Sequence, residues 1–180
     1  MTHAFSQKAL FLDRDGIINI DHGYVSKIEN FTFAEGIFEF LQLFIKKGYL
    51  LFIVTNQSGI GRGYYTLDDF KILNQWMLET LKSKNIQIQS VHYCPHAPEE
   101  NCMCRKPQIG MIQEILEIHN IDLSSSWLIG DKQSDIDLSH NADIKHSIAI
   151  SQSKILDADY QFSTLSECLS FFKKNQDILL

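Results

Sequence analysis

The sequence predicts an α/β protein in which a central, mostly parallel sheet is flanked by helices. Two observations support this fold class. Short apolar runs alternate with longer amphipathic segments, the pattern of strands joined by crossover helices. Several of the short runs are followed directly by polar residues, as expected where strands end at a ligand-binding edge.

The predicted elements follow from this alternation in chain order. The apolar runs predict strands at Ala9–Leu12, Leu50–Thr55, Ile88–Tyr93, Trp127–Gly130 and Ser147–Ile150. The amphipathic segments predict helices at about Gly36–Lys47, Leu67–Lys84, Gly110–Asn120, Ser134–Asn141 and Thr164–Lys174. Thr66, with Asp69 three residues later, resembles a capping box in which Asp replaces the usual Glu. No repeat or linker interrupts the pattern, so we expect one domain over residues 1–180.

Composition narrows the range of partners. The 180 residues are 44% hydrophobic and 21% charged, with 16 Lys and Arg against 22 Asp and Glu, a formal net charge of -6. This balance argues against nucleic acid as the main partner, because phosphate backbones need a clustered basic face. Small phosphorylated substrates need only a few local cations, so they remain compatible with it.

No signal peptide and no bilayer-spanning apolar run is recognisable, which predicts a cytoplasmic protein with no membrane partner. Thiols stay reduced in that compartment, where cysteine clusters bind metal more often than they form disulfides. We assign Cys168 to the core of the closing helix. Histidines without motif context are assigned to the surface or to packing: His3, His92, His119, His140 and His146.

Asp13 and Asp15 follow the first predicted strand. Asp13 is the candidate nucleophile, because a carboxylate attacking phosphorus forms an aspartyl-phosphate that water can hydrolyse. Asp15 is the candidate general acid and base, which protonates the leaving oxygen and later deprotonates the attacking water. The alternative is a solvated strand-to-loop turn, in which Asp and Gly are common.

Later strand ends supply the groups that this chemistry requires. Thr55 offers a hydroxyl, and Asn56, Gln57 and Ser58 follow it; alone, they are equally typical of a turn leading into a helix. Arg105 and Lys106 supply a planar cation and a point charge, although such residues usually mark a solvated face.

Asp131, after the fourth strand, completes the predicted constellation. Together with Asp13 it offers oxygen ligands to a hard cation, which we take to be Mg²⁺, and Asp15 is included in the predicted magnesium site. Such a cation stabilises the charge of a phosphate among aspartates. Asp135 is predicted to support these groups from one helical turn further on, the alternative being an ordinary acid at a helix N-terminus.

Three cysteines and a histidine fall in one loop, at Cys94, His96, Cys102 and Cys104. Four such ligands suit a tetrahedral structural Zn²⁺, although the spacing is not the common paired one. The alternative is three unligated thiols, since Cys102 and Cys104 are too close in sequence for a relaxed disulfide.

These motifs, in this order, resemble the haloacid-dehalogenase (HAD) phosphatases, which have a Rossmann-like fold. The resemblance is closest to the heptose 1,7-bisphosphate 7-phosphatases and covers about residues 10–150. It rests on Leu12-Asp13-Arg14-Asp15-Gly16, Asp21-His22-Gly23-Tyr24, Val54-Thr55-Asn56-Gln57-Ser58-Gly59-Ile60, Cys94-Pro95-His96, Arg105-Lys106-Pro107 and Gly130-Asp131-Lys132.

The resemblance implies Mg²⁺-dependent removal of the 7-phosphate from D-glycero-D-manno-heptose 1,7-bisphosphate, in nucleotide-activated heptose synthesis for surface polysaccharide. It implies Asp13 as nucleophile, Asp15 as acid and base, phosphoryl contacts from Thr55 and Lys106, and zinc in the cysteine loop. Substrate contacts would come from Asp21, His22, Gly23, Tyr24, Asn56, Gln57, Ser58, Arg105 and Lys132.

Two departures from the family pattern are visible. Ile17 stands where the superfamily usually has Thr, and the segment between His96 and Cys102 is short. No insertion is long enough to form a large cap domain, which predicts an open site.

Three other functions stay open at this stage. They are histidinol-phosphate phosphatase, nucleic-acid 3′-phosphatase and a non-catalytic zinc-binding interaction module. The sequence determines neither the preferred anomer nor the oligomeric state, for which a monomer is the default expectation.

Overall fold

The computed structural model describes residues 6–180, and its centre is one six-stranded parallel sheet. The strands are β1 (Ala9–Leu12), β2 (Leu50–Asn56), β3 (Ser90–Cys94), β4 (Trp127–Gly130), β5 (His146–Ile150) and β6 (Tyr160–Phe162). Their order across the sheet is β3-β2-β1-β4-β5-β6, and every pairing is parallel. The predicted α/β class and parallel sheet are confirmed. This is the order of dinucleotide-binding folds, in which ligands sit where the strand order reverses.

Helices cover both faces of the sheet. They are α1 (Ile37–Lys46), the short α2 (Ser58–Gly61), α3 (Leu67–Ser83), α4 (Gly110–Ile118), α5 (Gln133–Asn141) and α6 (Leu165–Lys174). Short 3-10 turns lie at Ile28–Asn30, Pro98–Glu100, Leu123–Ser125 and Gln176–Leu179. No helix within residues 6–180 has both the length and the apolar character needed to cross a bilayer.

The core forms on both sides of β1 because successive side chains of a strand point to opposite faces. Leu10 and Leu12 belong to the larger cluster, which α1, α3 and α6 cover. Ala9 and Phe11 belong to a second cluster under α4 and α5. Burial on both faces explains why β1 is an unbroken apolar run.

Most predicted elements agree with the observed ones to within one or two residues. The predicted capping box is confirmed, since Thr66 Oγ1 accepts from the amide of Asp69 at 3.1 Å and the Thr66 amide donates to Asp69 Oδ2 at 2.8 Å. The predicted packing role of Cys168 is also confirmed, because its side chain is fully buried. His3 lies outside the described residues.

Two elements were not predicted. Strand β6 has three residues with alternating partial burial, too few to give a periodic signal, and it forms only by pairing with β5. Helix α2 is a single turn, which the sequence could only indicate as a turn after β2. Neither changes where the predicted site residues lie.

Candidate active site

A cavity of about 270 Å³ opens at the carboxyl ends of the strands. Asp13 and Asp15 follow β1, while Asn56 and Gln57 come from the end of β2. Arg105 and Lys106 enter from the loop after β3, and Lys132 from the turn after β4. The chain therefore brings together polar groups that are far apart in sequence, at the edge where the strand order reverses.

Asp13 is the buried carboxylate at the floor of this cavity, only 5% exposed. Its Oδ1 accepts a hydrogen bond from the amide of Arg14 at 2.7 Å and lies 3.0 Å from Lys106 Nζ. Burial raises the pKa of Asp13 to about 6, although the positive charge of Lys106 opposes that shift. The amide and the ammonium fix one carboxylate oxygen and thereby orient the group.

Lys106 is a buried cation held between two carboxylates. Its Nζ lies 3.0 Å from Asp13 Oδ1 and 2.6 Å from Asp135 Oδ1, and it also donates to the carbonyl of Val54 at 3.0 Å. Burial lowers the pKa of Lys106, but the two carboxylates outweigh burial and raise it above its ordinary value. The lysine therefore stays charged beside the nucleophile candidate, where a phosphoryl group needs a cation.

Asp135 was predicted to support the site, and in the structure its carboxylate contacts the ammonium of Lys106. Its Oδ2 also accepts from the amide of Lys132 at 3.1 Å, at the start of α5. A Cβ atom on Gly130 would overlap the side chain of Asp135, so glycine is required for this carboxylate to reach Lys106.

Asp13, Asp131 and Asp135 form an acidic cluster that fits a hard cation. Each offers a carboxylate oxygen, and these oxygens lie within 4.8 Å of one another. Asp131 Oδ1 is buried without a hydrogen-bond partner, an unsatisfied oxygen that a metal ion would complete. Burial, and then the charge of Asp13, raise the pKa of Asp131 to about 7. Oxygen donors of this kind suit Mg²⁺.

Asp15 is held by five hydrogen bonds to its carboxylate, of which two come from Arg14 Nη2, one to each oxygen. Arg14 donates through Nε at 3.2 Å and Nη2 at 2.9 Å, Asn19 Nδ2 donates to Oδ1 at 3.0 Å, and Gln57 Nε2 donates to Oδ2 at 2.9 Å. The carboxylate lies outside the acidic cluster, so its predicted share in a magnesium site stays a prediction. Its fixed orientation suits a proton donor and acceptor.

The loop after β3 gathers Cys94, His96, Cys102 and Cys104 into a compact cluster. The sulfur of Cys94 lies 3.4 Å from that of Cys102 and 3.5 Å from His96 Nδ1. The sulfur of Cys104 lies 3.4 Å from that of Cys102 and 3.3 Å from the same imidazole nitrogen. Tetrahedral zinc with bonds of about 2.0–2.3 Å separates its ligands by about 3.3–3.8 Å. The four ligand atoms therefore have the spacing of a zinc site.

Comparison with known families and proteins agrees with this geometry. The family described as polynucleotide kinase 3 phosphatase matches residues 11–172. A D-glycero-beta-D-manno-heptose-1,7-bisphosphate 7-phosphatase of Helicobacter pylori is 50% identical over 151 residues, which cover 83% of this chain and 87% of the relative. A Campylobacter jejuni D-glycero-alpha-D-manno-heptose-1,7-bisphosphate 7-phosphatase is 47% identical over 169 residues, covering 93% and 96%. The chain belongs to the heptose-bisphosphate 7-phosphatase family of HAD phosphatases.

Solved structures share this fold. A putative HAD-like phosphatase from Mesorhizobium loti superposes with a TM-score of 0.78 at 26% identity, covering 94% of this chain and 87% of that one. The D,D-heptose 1.7-bisphosphate phosphatase from B. bronchiseptica, complexed with magnesium and phosphate, gives a TM-score of 0.81 at 22% identity, covering 93% and 99%. At that identity the second likeness concerns the fold alone.

The rim of the phosphatase site contains part of the predicted substrate-binding set. Lys132 Nζ lies 3.3 Å from Asp21 Oδ2 and 3.6 Å from Asp131 Oδ2, which links the loop after β1 to the turn after β4. Tyr24 takes a left-handed backbone, with φ at 52°, and its ring meets that of Tyr64 edge to face at 4.7 Å. His22 does not line the cavity and faces a neighbouring depression.

Three features of this phosphatase site were missing from the sequence prediction. Tyr65 lines the cavity and bonds to Gln57, and Asn19 bonds to Asp15. Asn56 bonds the main chain of Lys106 through both ends of its amide, at 3.0 and 3.3 Å. No sequence motif marks any of them: Asn19 and Tyr65 reach their partners through irregular loop geometry, and Asn56 and Lys106 are 50 residues apart. Ile17, in place of the usual Thr, is simply a buried member of the larger core.

Proposed function

We propose that this phosphatase removes the 7-phosphate of D-glycero-D-manno-heptose 1,7-bisphosphate through an aspartyl-phosphate on Asp13. The observation that carries the proposal is the position of Asp13. It is buried at the cavity floor, with the cation of Lys106 on one side and the unsatisfied oxygen of Asp131 within the same cluster. Two relatives named as heptose-1,7-bisphosphate 7-phosphatases match 83% and 93% of the chain.

In the first step, an Asp13 carboxylate oxygen attacks phosphorus as the bond between phosphorus and the C7 oxygen breaks. Asp15 gives its proton to that oxygen, so the sugar leaves as an alcohol. Lys106 and the Thr55 hydroxyl stabilise the phosphoryl oxygens. Thr55 is buried beside the site, and its Oγ1 accepts from Gln57 Nε2 at 2.9 Å, which leaves its own proton free to donate.

In the second step, Asp15 accepts a proton from water as that water attacks phosphorus. The bond between phosphorus and Asp13 breaks, inorganic phosphate leaves, and the carboxylate of Asp13 is regenerated. The same Asp15 side chain thus serves first as acid and then as base, which its fixed orientation by Arg14, Asn19 and Gln57 favours.

Both cofactors follow from the ligand clusters. Asp13 and Asp131 would hold Mg²⁺, with Asp15 beside them, and the bound ion would neutralise charge on the phosphoryl group. Zinc on Cys94, His96, Cys102 and Cys104 would hold the loop that leads directly to Arg105 and Lys106.

The rim supplies groups for the rest of the sugar bisphosphate. Arg105 Nη1 is buried without a hydrogen-bond partner, as expected of a guanidinium that completes its bonds with an anionic ligand. Lys132, Asp21, Gly23, Tyr24 and Ser58 also line the cavity. We assign sugar hydroxyls and the second phosphate to these groups. We further propose a cytoplasmic, monomeric enzyme that supplies nucleotide-activated heptose synthesis.

Two other substrates test this assignment. The match to the polynucleotide kinase 3 phosphatase family makes a 3′-phosphorylated oligonucleotide the relevant competitor, and histidinol phosphate has similar chemistry. The net charge of -6 favours the sugar phosphate.

The decisive experiment is a phosphate-release screen with and without Mg²⁺. It compares the alpha and beta anomers of the heptose bisphosphate with histidinol phosphate and the oligonucleotide. We expect kcat/KM to be highest for one heptose anomer and to require Mg²⁺. Asp13→Asn should abolish release while the protein stays folded and keeps its zinc content. A preference for the oligonucleotide or for histidinol phosphate would reject the substrate, and turnover by Asp13→Asn would reject the mechanism.

A further inference from the structure

Two buried polar side chains beside Asp15 line the cavity, and the steps above leave one of them, Tyr65, without a role. Tyr65 is 8% exposed and Gln57 only 2% exposed. The hydroxyl of Tyr65 donates to Gln57 Oε1 at 2.6 Å. Gln57 Nε2 donates in turn to Asp15 Oδ2 and to Thr55 Oγ1, both at 2.9 Å. The tyrosine is thus connected to Asp15 by two consecutive hydrogen bonds.

The hydrogen bond from Tyr65 to Gln57 matters because it determines which way the Gln57 amide faces. The two ends of the Gln57 amide have nearly the same shape but opposite hydrogen-bonding character. If the amide turned over, its oxygen would face the carboxylate of Asp15 and two acceptors would be opposed in a buried site. A donor at Oε1 prevents this, and the hydroxyl of Tyr65 is that donor.

Tyr65 is well suited to this role. Burial raises its pKa to about 12, so the hydroxyl keeps its proton at neutral pH. Its ring packs directly on the backbone of Gly59, where an added Cβ would overlap the ring. The position of the hydroxyl is therefore fixed by packing as well as by its bond.

We propose that Tyr65 is a positioning residue that acts through the amide of Gln57 to aim the Asp15 carboxylate at the leaving oxygen. This inference rests on the proposed role of Asp15 as acid and base. It changes the predicted role of Gln57: both ends of its amide are engaged within the protein, so it acts on Asp15 rather than on the sugar.

The test compares two substrates that differ in their leaving group, because only a poor leaving group must be protonated before it departs. The parameter kcat/KM reports the steps up to departure of the leaving group, and p-nitrophenolate departs without protonation while a sugar alkoxide does not. We expect Tyr65→Phe to lower kcat/KM for the heptose bisphosphate about tenfold, with kcat/KM for p-nitrophenyl phosphate changing less than about twofold. An equal loss with both substrates, or no loss, would overturn the proposal.

Tyr49→Phe is the matched control. Tyr49 is also a buried tyrosine, but its hydroxyl bonds Trp127 Nε1 and the carbonyl of Leu179, away from the site. This variant should leave the ratio of the two kcat/KM values unchanged. A comparable change in that ratio would mean that losing any buried tyrosine hydroxyl has this effect, and the proposal would fail.

Two further variants separate the possible failures. Asp15→Asn should lower the ratio by at least about 100-fold; if it lowers both substrates equally, the acid role of Asp15 in the proposed function is wrong. Gln57→Met should remove the connection, so adding Tyr65→Phe to it should have no further effect on the ratio. An additional loss in the double variant would show that Tyr65 does not act through Gln57.

Discussion

Two clusters of potential metal ligands in this phosphatase are held together in different ways. In the acidic cluster, Asp13 and Asp135 share the buried cation of Lys106, and the ligands come from the ends of strands β1 and β4 and from helix α5. In the cysteine cluster, three sulfurs and an imidazole contact mainly one another, and only Cys94 belongs to a strand.

This difference indicates whether a bound ion would serve chemistry or structure in each cluster. Lys106 offsets part of the carboxylate charge in the acidic cluster, so we expect that arrangement to persist without a cation and the cation to serve chemistry. The cysteine loop has no internal cation among its four candidate ligands, so we expect its arrangement to depend on the proposed zinc ion. Asn56 joins the two, since it bonds the main chain of Lys106 from the end of β2.

Removing the internal cation should have the largest effect. Lys106→Met leaves two buried carboxylates uncompensated, which should cost about 3–5 kcal/mol of unfolding free energy. Turnover should fall by at least about 10³-fold, because the phosphoryl group also loses its cation. Urea denaturation and phosphate release measure the two effects. Lys132→Met is the control for stability: this side chain is 55% exposed, so the loss there should be at most about 1 kcal/mol.

Breaking the cysteine cluster should have the next largest effect, and it should be local. Cys104→Ser should release zinc and lower turnover by on the order of 100-fold, because Lys106 lies two residues further along the chain. The far-ultraviolet circular dichroism of the sheet should persist. Metal analysis checks the zinc, with Cys168→Ala, in α6, as a control that keeps it. Full zinc content in Cys104→Ser would contradict the assignment.

Protons should compete with Mg²⁺ for the carboxylates of the acidic cluster near neutral pH. Because the pKa of Asp131 is raised to about 7 and that of Asp13 to about 6, the apparent Kd for Mg²⁺ should rise about tenfold from pH 7 to pH 6 and about fiftyfold more by pH 5. Calorimetric titration measures this dependence. A Kd that is constant across this range would contradict the raised pKa.

The same pKa shifts determine whether the stability of the metal-free protein rises or falls with pH. Asp13, near 6, and Asp131, near 7, both lie above the ordinary 3.8, so the folded state binds more protons than the unfolded state between about pH 4 and 7. These groups should therefore make the metal-free protein less stable as pH rises through that window. Asp131→Asn should show a shallower decrease in melting temperature.

Removing the Asn56 side chain, which connects the two clusters, should have the smallest effect on turnover. Asn56→Ala removes two hydrogen bonds to the main chain of Lys106, at a cost of about 1–3 kcal/mol, and should lower turnover about tenfold with zinc retained. Asn141→Ala is the matched control, because Asn141 is exposed and also donates to this loop, at the Pro107 carbonyl, 3.0 Å away. That variant should change turnover less than about twofold.

The sequence predicted the strands and the ends at which the site lies, because buried parallel strands are apolar runs followed by polar residues. Asp13, Thr55, Lys106 and Asp131 could be found in this way. Contacts such as that between Asp21 and Lys132 could not, since 111 residues separate the partners and no periodic pattern relates them.

Tyr65 and β6 were missed for related reasons. One tyrosine hydroxyl carries no motif, and a three-residue strand has no measurable period, so both are determined by neighbours that only folding supplies. For the same reason the sequence could not indicate that both ends of the Gln57 amide bond to other side chains.

The position of β1 in the middle of the sheet affects how its amides become exposed to hydrogen exchange. Its residues pair with β2 on one side and β4 on the other, and the amide of Asp13 continues this pairing by donating to the carbonyl of Ile129 at 3.0 Å. Hydrogen exchange at such an amide requires the whole sheet to separate, whereas amides of the cysteine loop exchange through local fluctuation. We therefore expect the amide of Asp13, the proposed nucleophile, to exchange slowly, so deuterium labelling should register opening of the cysteine loop long before opening of the sheet at Asp13.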